Sequence, residues 1–350
     1  MSKLIESLIP IPVAALGAWL GYKTGFPLGD LIGAICTVTT VSKMGVPMRM
    51  PYAFVVTVQL LLGMSVGSIV TASMLHELTD FSILPGLLIC MTTQIFVGYN
   101  WLRRMEKWGH IESLLGSIPG AMAAVMTVSS EQGPASGRIA FVHIVRLLAL
   151  LAVVTVIAGG HSSDVAPTLG IMDNYLTVIP PAIAALVAGY LLERVDIPAP
   201  YMLTALLCTA AVNVGFPDAN LHAPDPFAVV ALILLGGLIG IRLKDITFKD
   251  IVLHIRAGLV VTALTFCTTL LVALLMSMLT GKPFLTLFMS WVPGGVEVMT
   301  AAALLLKLDP AFIMLNHVVR MSIIHLSPVI LPKRLFQEQR TTPAQLQTDP

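Results

Sequence analysis

Ten apolar stretches, at about 8–22, 28–42, 53–72, 83–101, 137–158, 177–192, 200–213, 227–241, 257–279 and 311–331, dictate what this chain can become. A membrane-crossing helix needs roughly 17–25 mostly apolar residues. Several of the stretches are shorter, which suits helices packed inside a bundle. A soluble alternative fails on surface chemistry: only 11% of the 350 residues are charged, against about 25% in soluble domains. An apolar fraction of 56% and a net charge of +1 also exclude a disordered regulator and a basic nucleic-acid binder. Cys36, Cys90, Cys208 and Cys267 all lie within apolar runs and read as buried thiols rather than bridges. The N-terminus carries Lys3 straight into the first run and reads as a span, not a cleaved leader.

Two further apolar stretches, about 111–130 and 285–306, are interrupted at Pro119-Gly120 and Pro293-Gly294. These are expected to be re-entrant hairpins, a form tolerated only where protein or a cavity satisfies the freed backbone groups. With ten crossings and both hairpins returning to their own side, fifteen of the twenty Lys and Arg residues fall on one face. Lys23, Lys282 and Lys307 fall on the other, and Arg146 and Arg320 lie inside spans. The positive-inside rule then makes both termini cytoplasmic. Trp101 and Trp108, beside Arg103-Arg104, are expected to anchor that interface.

The chain also repeats itself. Ile118-Pro119-Gly120-Ala121 precedes His143-Ile144-Val145-Arg146, and Val292-Pro293-Gly294-Gly295 precedes His317-Val318-Val319-Arg320, with every position displaced by 174. Gly63 and Gly67 match Gly236 and Gly240 at 173, and Pro27 matches Pro198 at 171. The expected organisation is a first repeat over 1–158, a linker over 159–176, a second repeat over 177–332 and a cytoplasmic tail over 333–350. Five crossings per repeat, an odd number, put the second repeat upside down. Inverted repeats are a transporter architecture with the site at their interface near the midplane.

Two copies of a P-G-[GA] stretch followed by an H-x-x-R helix resemble the duplicated AbrB-type bacterial membrane proteins. Those carry the labels "AbrB family transcriptional regulator" and "putative ammonia monooxygenase". The resemblance covers about residues 8–332. Pro293-Gly294-Gly295 and Met299 fit the family's P-G-G-x-x-E-M pattern, with Glu297 one place early and Val298 at the usual position of the acid. In the first copy Ala121 replaces the second glycine and Ala124 stands where the acid is common. The resemblance implies either a regulatory effect on gene expression or an oxidase activity.

Arg146 and Arg320 sit about nine residues into their spans, roughly 13 Å deep. A central arginine is costly and marks a pathway or a pairing. His143 and His317 precede them by three residues and share their helix faces. If Pro119-Gly120 and Pro293-Gly294-Gly295 start half-helices, free N–H groups and the arginines converge on one anionic group. The competing reading has each arginine cap the loose carbonyls of its own hairpin and bind nothing. The histidines serve as packing residues, ligands or proton relays. Glu297, opposite Ala123 in the first repeat, reads either as an ion pair with Arg320 or Lys307 or as a protonatable group for coupled transport. Asp30 reads as an interfacial cap.

The expected fold is an all-α polytopic membrane protein of about ten transmembrane helices, in two inverted five-helix repeats that each carry a broken Pro-Gly re-entrant hairpin. Its expected role is secondary transport of a small anionic or polar solute at the repeat interface. Membrane lipid surrounds it, direct nucleic-acid contact, cofactor and metal are not expected, and a homo-oligomer is compatible with the reading. No G-x-x-x-x-G-K-[ST] loop is present for ATP-driven transport by this chain alone. The alternative is a membrane regulator or sensor acting indirectly on gene expression. A copper monooxygenase needs clustered imidazoles. Here His76, His110, His161, His222 and His254 are scattered, and His317 and His325 are about 12 Å apart along one helix, so an enzyme is not expected.

Overall fold

The computed structural model describes residues 2–25, 28–71, 83–119, 136–159, 175–195, 197–216, 221, 223–224, 226–244 and 248–330. Gly120, Ala121, Ala123, Ala124, Pro27, His76, His161, His222, most of the linker and the tail lie outside them. Every described element is an α-helix. In chain order they are α1 (Ser2–Leu8), α2 (Pro10–Lys23), α3 (Gly29–Lys43), α4 (Tyr52–Gly67), α5 (Leu84–Arg104), α6 (His110–Ser117), α7 (Ser136–Gly159), α8 (Tyr175–Glu193), α9 (Pro200–Gly215), α10 (Pro226–Leu243), α11 (Phe248–Thr280), α12 (Phe284–Trp291), α13 (Val296–Leu305) and α14 (Pro310–Ile330). Each of the ten apolar stretches is a helix. Ile5–Lys23, Arg138–Ile157, Pro226–Leu243 and Val252–Thr280 are long and apolar enough to cross a membrane. In lipid a helix satisfies its own backbone groups, so apolar runs of this length have little choice of conformation. Proline opens α2, α9, α10 and α14, where its missing N–H costs nothing and its fixed φ suits a first turn.

The repeat is visible in the backbone. Leu28 and Ala199, 171 apart, both enter their helices through left-handed φ values of 55° and 49°. Lys107 and Gly281, 174 apart, do the same with 57° and 72°.

Packing groups the helices differently from chain order. One group contains α2, α3, α4, α8, α9 and α10; the other contains α5, α6, α7 and α11 to α14. Each takes elements from both repeats. Within the first group, Gly236 and Gly240 of α10 rest on Leu31, Ala34, Ile35 and Val38 of α3. Reciprocally, Gly63 and Gly67 of α4 rest on Met202, Ala205, Leu206 and Thr209 of α9. Lipid offers no hydrophobic drive between helices, so close backbone approach at small residues supplies the association. The two groups meet where α13 lies on α4 and α10, and α14 on α4 and α9.

Two expectations need correction. Trp108 is 4% exposed, packed among Leu102, Ile111 and Leu115 with the Arg138 guanidinium 5.1 Å above its ring, so it is a core residue rather than an interfacial anchor. Trp101 is half-buried beside Arg256. All four cysteines are free, but Cys36 and Cys267 are exposed, since an apolar run in a membrane protein has an outward face as well as a buried one. Asp30 does lie in the first turn of α3, where its carboxylate accepts from the Leu31 N–H at 2.8 Å.

Tyr201 fastens the start of α9 to the end of α8 by donating its hydroxyl to Glu193 at 2.6 Å. The hydroxyls of Tyr201 and Tyr52 hold the Glu193 carboxyl below its ordinary value of 4.5. A depressed carboxyl contributes stability that is complete above its unfolded pKa and lost as pH falls through the folded one. Tyr201→Phe should therefore lower the melting temperature above about pH 5, with the gap from wild type closing below about pH 4. Thermal unfolding across that range checks it; a gap that persists in acid refutes the assignment.

Candidate functional site

The two H-x-x-R motifs make the same contacts in both repeats. On α7, His143 Nε2 bonds the Leu115 carbonyl at 3.1 Å and Arg146 donates to the Ile118 carbonyl at 3.0 Å. On α14, His317 Nε2 bonds the Met289 carbonyl at 3.0 Å and Arg320 donates to the Val292 carbonyl at 2.8 Å. All eight residues obey the displacement of 174. Arg146 also donates to His143 Nδ1, which requires the proton of that imidazole to sit on Nε2. Arg320 instead reaches onward to the Gly294 carbonyl at 2.9 Å and, at 3.4 Å, to that of Trp291.

These carbonyls close the two half-helices. α6 ends at Ser117, with Ile118 extended and Pro119 buried. α12 ends at Trp291, and Val292, Pro293, Gly294 and Gly295 carry the chain to α13. The last carbonyls of a helix have no partner within it, and they form the negative end of its dipole. Arginine and histidine satisfy them from the neighbouring helix. The guanidiniums thus meet helix ends, the contacts expected where each arginine caps the loose carbonyls of its own hairpin. The start that is described, that of α13, already holds an anion in its first turn, Glu297.

Glu297 is likewise not paired as expected. Among the described residues it forms no ion pair with Arg320 or Lys307; its Oε1 accepts from Gln59 Nε2 of α4 at 3.1 Å. The described ion pairs are Arg138–Glu112 at 2.5 Å and Arg256–Glu106 at 3.3 Å. Neither includes a motif arginine, although Arg146 and Arg320 are 2% and 0% exposed. Among the described residues, the partners of these guanidiniums are carbonyls at the helix ends and, for Arg146, the His143 imidazole.

Packing explains the glycines. A methyl group on Gly294 would approach Leu150 of α7 to 2.8 Å, whereas one on Gly295 would touch nothing closer than 3.7 Å. The tight glycine brings the break against α7, and the looser one borders Glu297.

Sequence reasoning missed Gln59 and Gln94. Gln94 of α5 donates to Thr269 Oγ1 at 2.7 Å and to the Trp291 carbonyl at 3.2 Å, tying α5 and α11 to the same break. Each is a lone primary amide in an uncharged apolar run, and that was the available signal. The region also holds buried polar atoms without a described partner: Arg146 Nη1, Arg320 Nε, His317 Nδ1, Gln59 Oε1, Gln94 Oε1 and Thr300 Oγ1. Such atoms cost free energy unless something meets them.

A family model described as "Transition state regulatory protein AbrB" matches residues 30–335. The "Uncharacterized protein YhjN" of Bacillus subtilis (strain 168) is 23% identical over 349 residues, covering 92% of this chain and 91% of that protein. The "Putative regulator AbrB" of Escherichia coli (strain K12) is 25% identical over 321 residues, covering 87% and 89%.

Proposed function

The chain belongs to the AbrB family, and from that premise we propose that it is a secondary transporter of a small anionic or polar solute rather than an enzyme. It lies in the bacterial inner membrane with both termini cytoplasmic. The observation that carries the reading is a pair of buried guanidiniums that form no ion pair among the described residues, each keeping a donor without a described acceptor. A buried cation left unpaired is strongly destabilising. An anionic group reaching Arg146 Nη1 or Arg320 Nε would offset the buried charge and fill those donors.

Helix directions support inversion of the repeats. α10 runs parallel to α3 and α4 parallel to α9, because the contacting numbers rise together along each pair. The loop after α3 stays at that end of the helix, where the Arg49 N–H bonds the Glu6 carbonyl, so α4 turns back antiparallel to α3. The equivalent helices α3 and α9 then run in opposite senses, as an in-plane two-fold axis requires.

Re-entry is supported at the second hairpin. Lys282 lies over Phe312, Met289 meets His317 and Val292 meets Arg320, so α12 and the start of α14 run side by side in one direction. The ten residues of α13 end four residues before α14 begins. Continuing onward would leave about 15 Å of helix on the wrong side of that short turn, so α13 comes back to the side from which α12 entered.

The test is thermal unfolding of the detergent-purified protein against a panel of small anions and metabolites. A binder of the native state raises the transition by mass action, by about 2.7 kcal/mol at a hundredfold excess over Kd. We expect an anion among the hits, with the shift reduced in Arg146→Lys and Arg320→Lys. No shift from any anion, with both lysine variants as stable as wild type, refutes the site. The name of the E. coli relative favours one second reading, an effect on gene expression. Movement of a signalling solute would produce it, and a deletion phenotype that disappears when the solute is supplied distinguishes this from direct regulation.

A further inference from the structure

We infer that Glu297 and Gln59 form a proton-operated latch between the two packing groups, and that the proton bound there is the coupling ion. The inference rests on the transport reading for its purpose, though not for its chemistry. The seam between α4 and α13 joins a helix of the first group to the outgoing limb of the second hairpin. Val58 and Leu62 of α4 and Val296, Val298 and Met299 of α13 are buried in one apolar cluster. Among the described residues, the one side-chain hydrogen bond from α4 to α13 is Gln59 to Glu297. This bond is the described polar tie between the two helices.

The amide of Gln59 reports the charge of its partner. Gln59 is 5% exposed and gives its N–H to Glu297, while its Oε1 is buried without a described donor. That arrangement suits a carboxylate, which only accepts. When Glu297 binds a proton it gains an O–H donor, and Gln59 can turn its amide over to accept from it. The orphaned oxygen is then satisfied and the charged hydrogen bond becomes a neutral one, roughly half as strong. The step is protonation alone: the carboxylate takes one proton from water on one face and returns it to water on the other.

The neighbouring charges leave Glu297 as the acid of the seam. The titratable or charged residues on the helices against α13 are Tyr52 on α4, Arg242 on α10, Arg138, His143 and Arg146 on α7, and His317, Arg320 and His325 on α14. None is a carboxyl. Lys307 follows α13 directly. The first repeat offers no second latch, since Ala123 stands at the matching position.

The full-length protein in lipid nanodiscs tests this without knowledge of the solute. Difference infrared spectra on acidification should show the C=O stretch of one protonated carboxylic acid that disappears in Glu297→Gln and shifts in Gln59→Leu. Protection of amides in the first turn of α13 and around Gln59, corrected for the intrinsic pH dependence of exchange, should change several-fold up to about tenfold over the same titration, the difference between a charged and a neutral hydrogen bond. In Glu297→Gln, where an amide stands in for the protonated acid, the protection factor should hold its acid value at every pH. Exchange that follows pH identically in wild type and Glu297→Gln overturns the latch, even if anions still stabilise the protein. A Glu297-dependent acid band and exchange response with no anion binding at all keeps the proton site and removes the transport reading instead. Should Glu297→Gln not fold, the Gln59→Leu spectrum decides alone: an unshifted acid band overturns the pairing.

Discussion

Replacing Arg320 with alanine is expected to produce the largest loss of stability available from a single polar side chain in this protein. Three carbonyls at the break, those of Trp291, Val292 and Gly294, take hydrogen bonds from its guanidinium. Water cannot replace them easily at a residue that is 0% exposed. A buried acceptor left unmet costs about 1–3 kcal/mol, while interhelical hydrogen bonds in membranes average nearer 0.6 kcal/mol. The expected loss therefore lies between roughly 2 and 5 kcal/mol. Arg320→Lys should recover part of it, because an ammonium is a point donor and cannot bridge Val292 to Gly294. Arg146→Ala should cost less, since its described bonds are one carbonyl and one imidazole. Thermal unfolding in detergent orders the three; equal loss from Arg320→Ala and Arg146→Ala would falsify the capping account.

The second large effect is expected at a residue with no side chain. α2 and α3 lie so close that a methyl group on Gly33 would come within 2.0 Å of the Gly17 carbonyl oxygen, and one on Gly17 within 2.0 Å of Thr37 Oγ1. Thr37 uses this proximity to donate across the pair to the Val13 carbonyl at 3.1 Å. Overpacking ordinarily costs about 1–3 kcal/mol through side chains that can adjust. A backbone oxygen cannot change rotamer, so Gly33→Ala must part the helices and forfeit Thr37's bond as well. The cost should reach the top of that range or exceed it, seen as loss of monodisperse protein on size exclusion. Gly215→Ala, where a methyl group would meet nothing within 4 Å, is the control and should purify normally.

Local chemistry made the helices legible. An apolar run in lipid has one way to satisfy its backbone, and Pro10, Pro200, Pro226 and Pro310 mark helix starts directly. The displacement of 174 was legible too, and it returns as matched hydrogen bonds from His143 and His317. What stayed hidden depends on which ends meet in space. The order of Pro119-Gly120 before Arg146 does not say whether the guanidinium faces the end of one half-helix or the start of the next. Gln59 and Glu297 are 238 residues apart, and neither belongs to a repeated motif, so no pattern joined them. Trp108 looked interfacial because arginines surround it in sequence. The guanidinium of Arg138, from a different helix, covers it.

The interleaving of the repeats bears on how the protein is made. Thr39 of α3 donates to the Gly240 carbonyl of α10, across 201 residues of chain. At the usual pace of about 5–20 residues per second, α3 waits some 10–40 s for the surface it packs on. α4, with Gly63 bare, waits likewise for α9. During that interval the newly inserted first half presents the Gly63-Gly67 groove of α4 and the Leu31-Ala34-Ile35-Val38 face of α3 with their partners not yet made. Synthesis alone thus opens a window in which another nascent copy, or an insertion chaperone, competes for the same surfaces, and the first half expressed by itself should remain in that state.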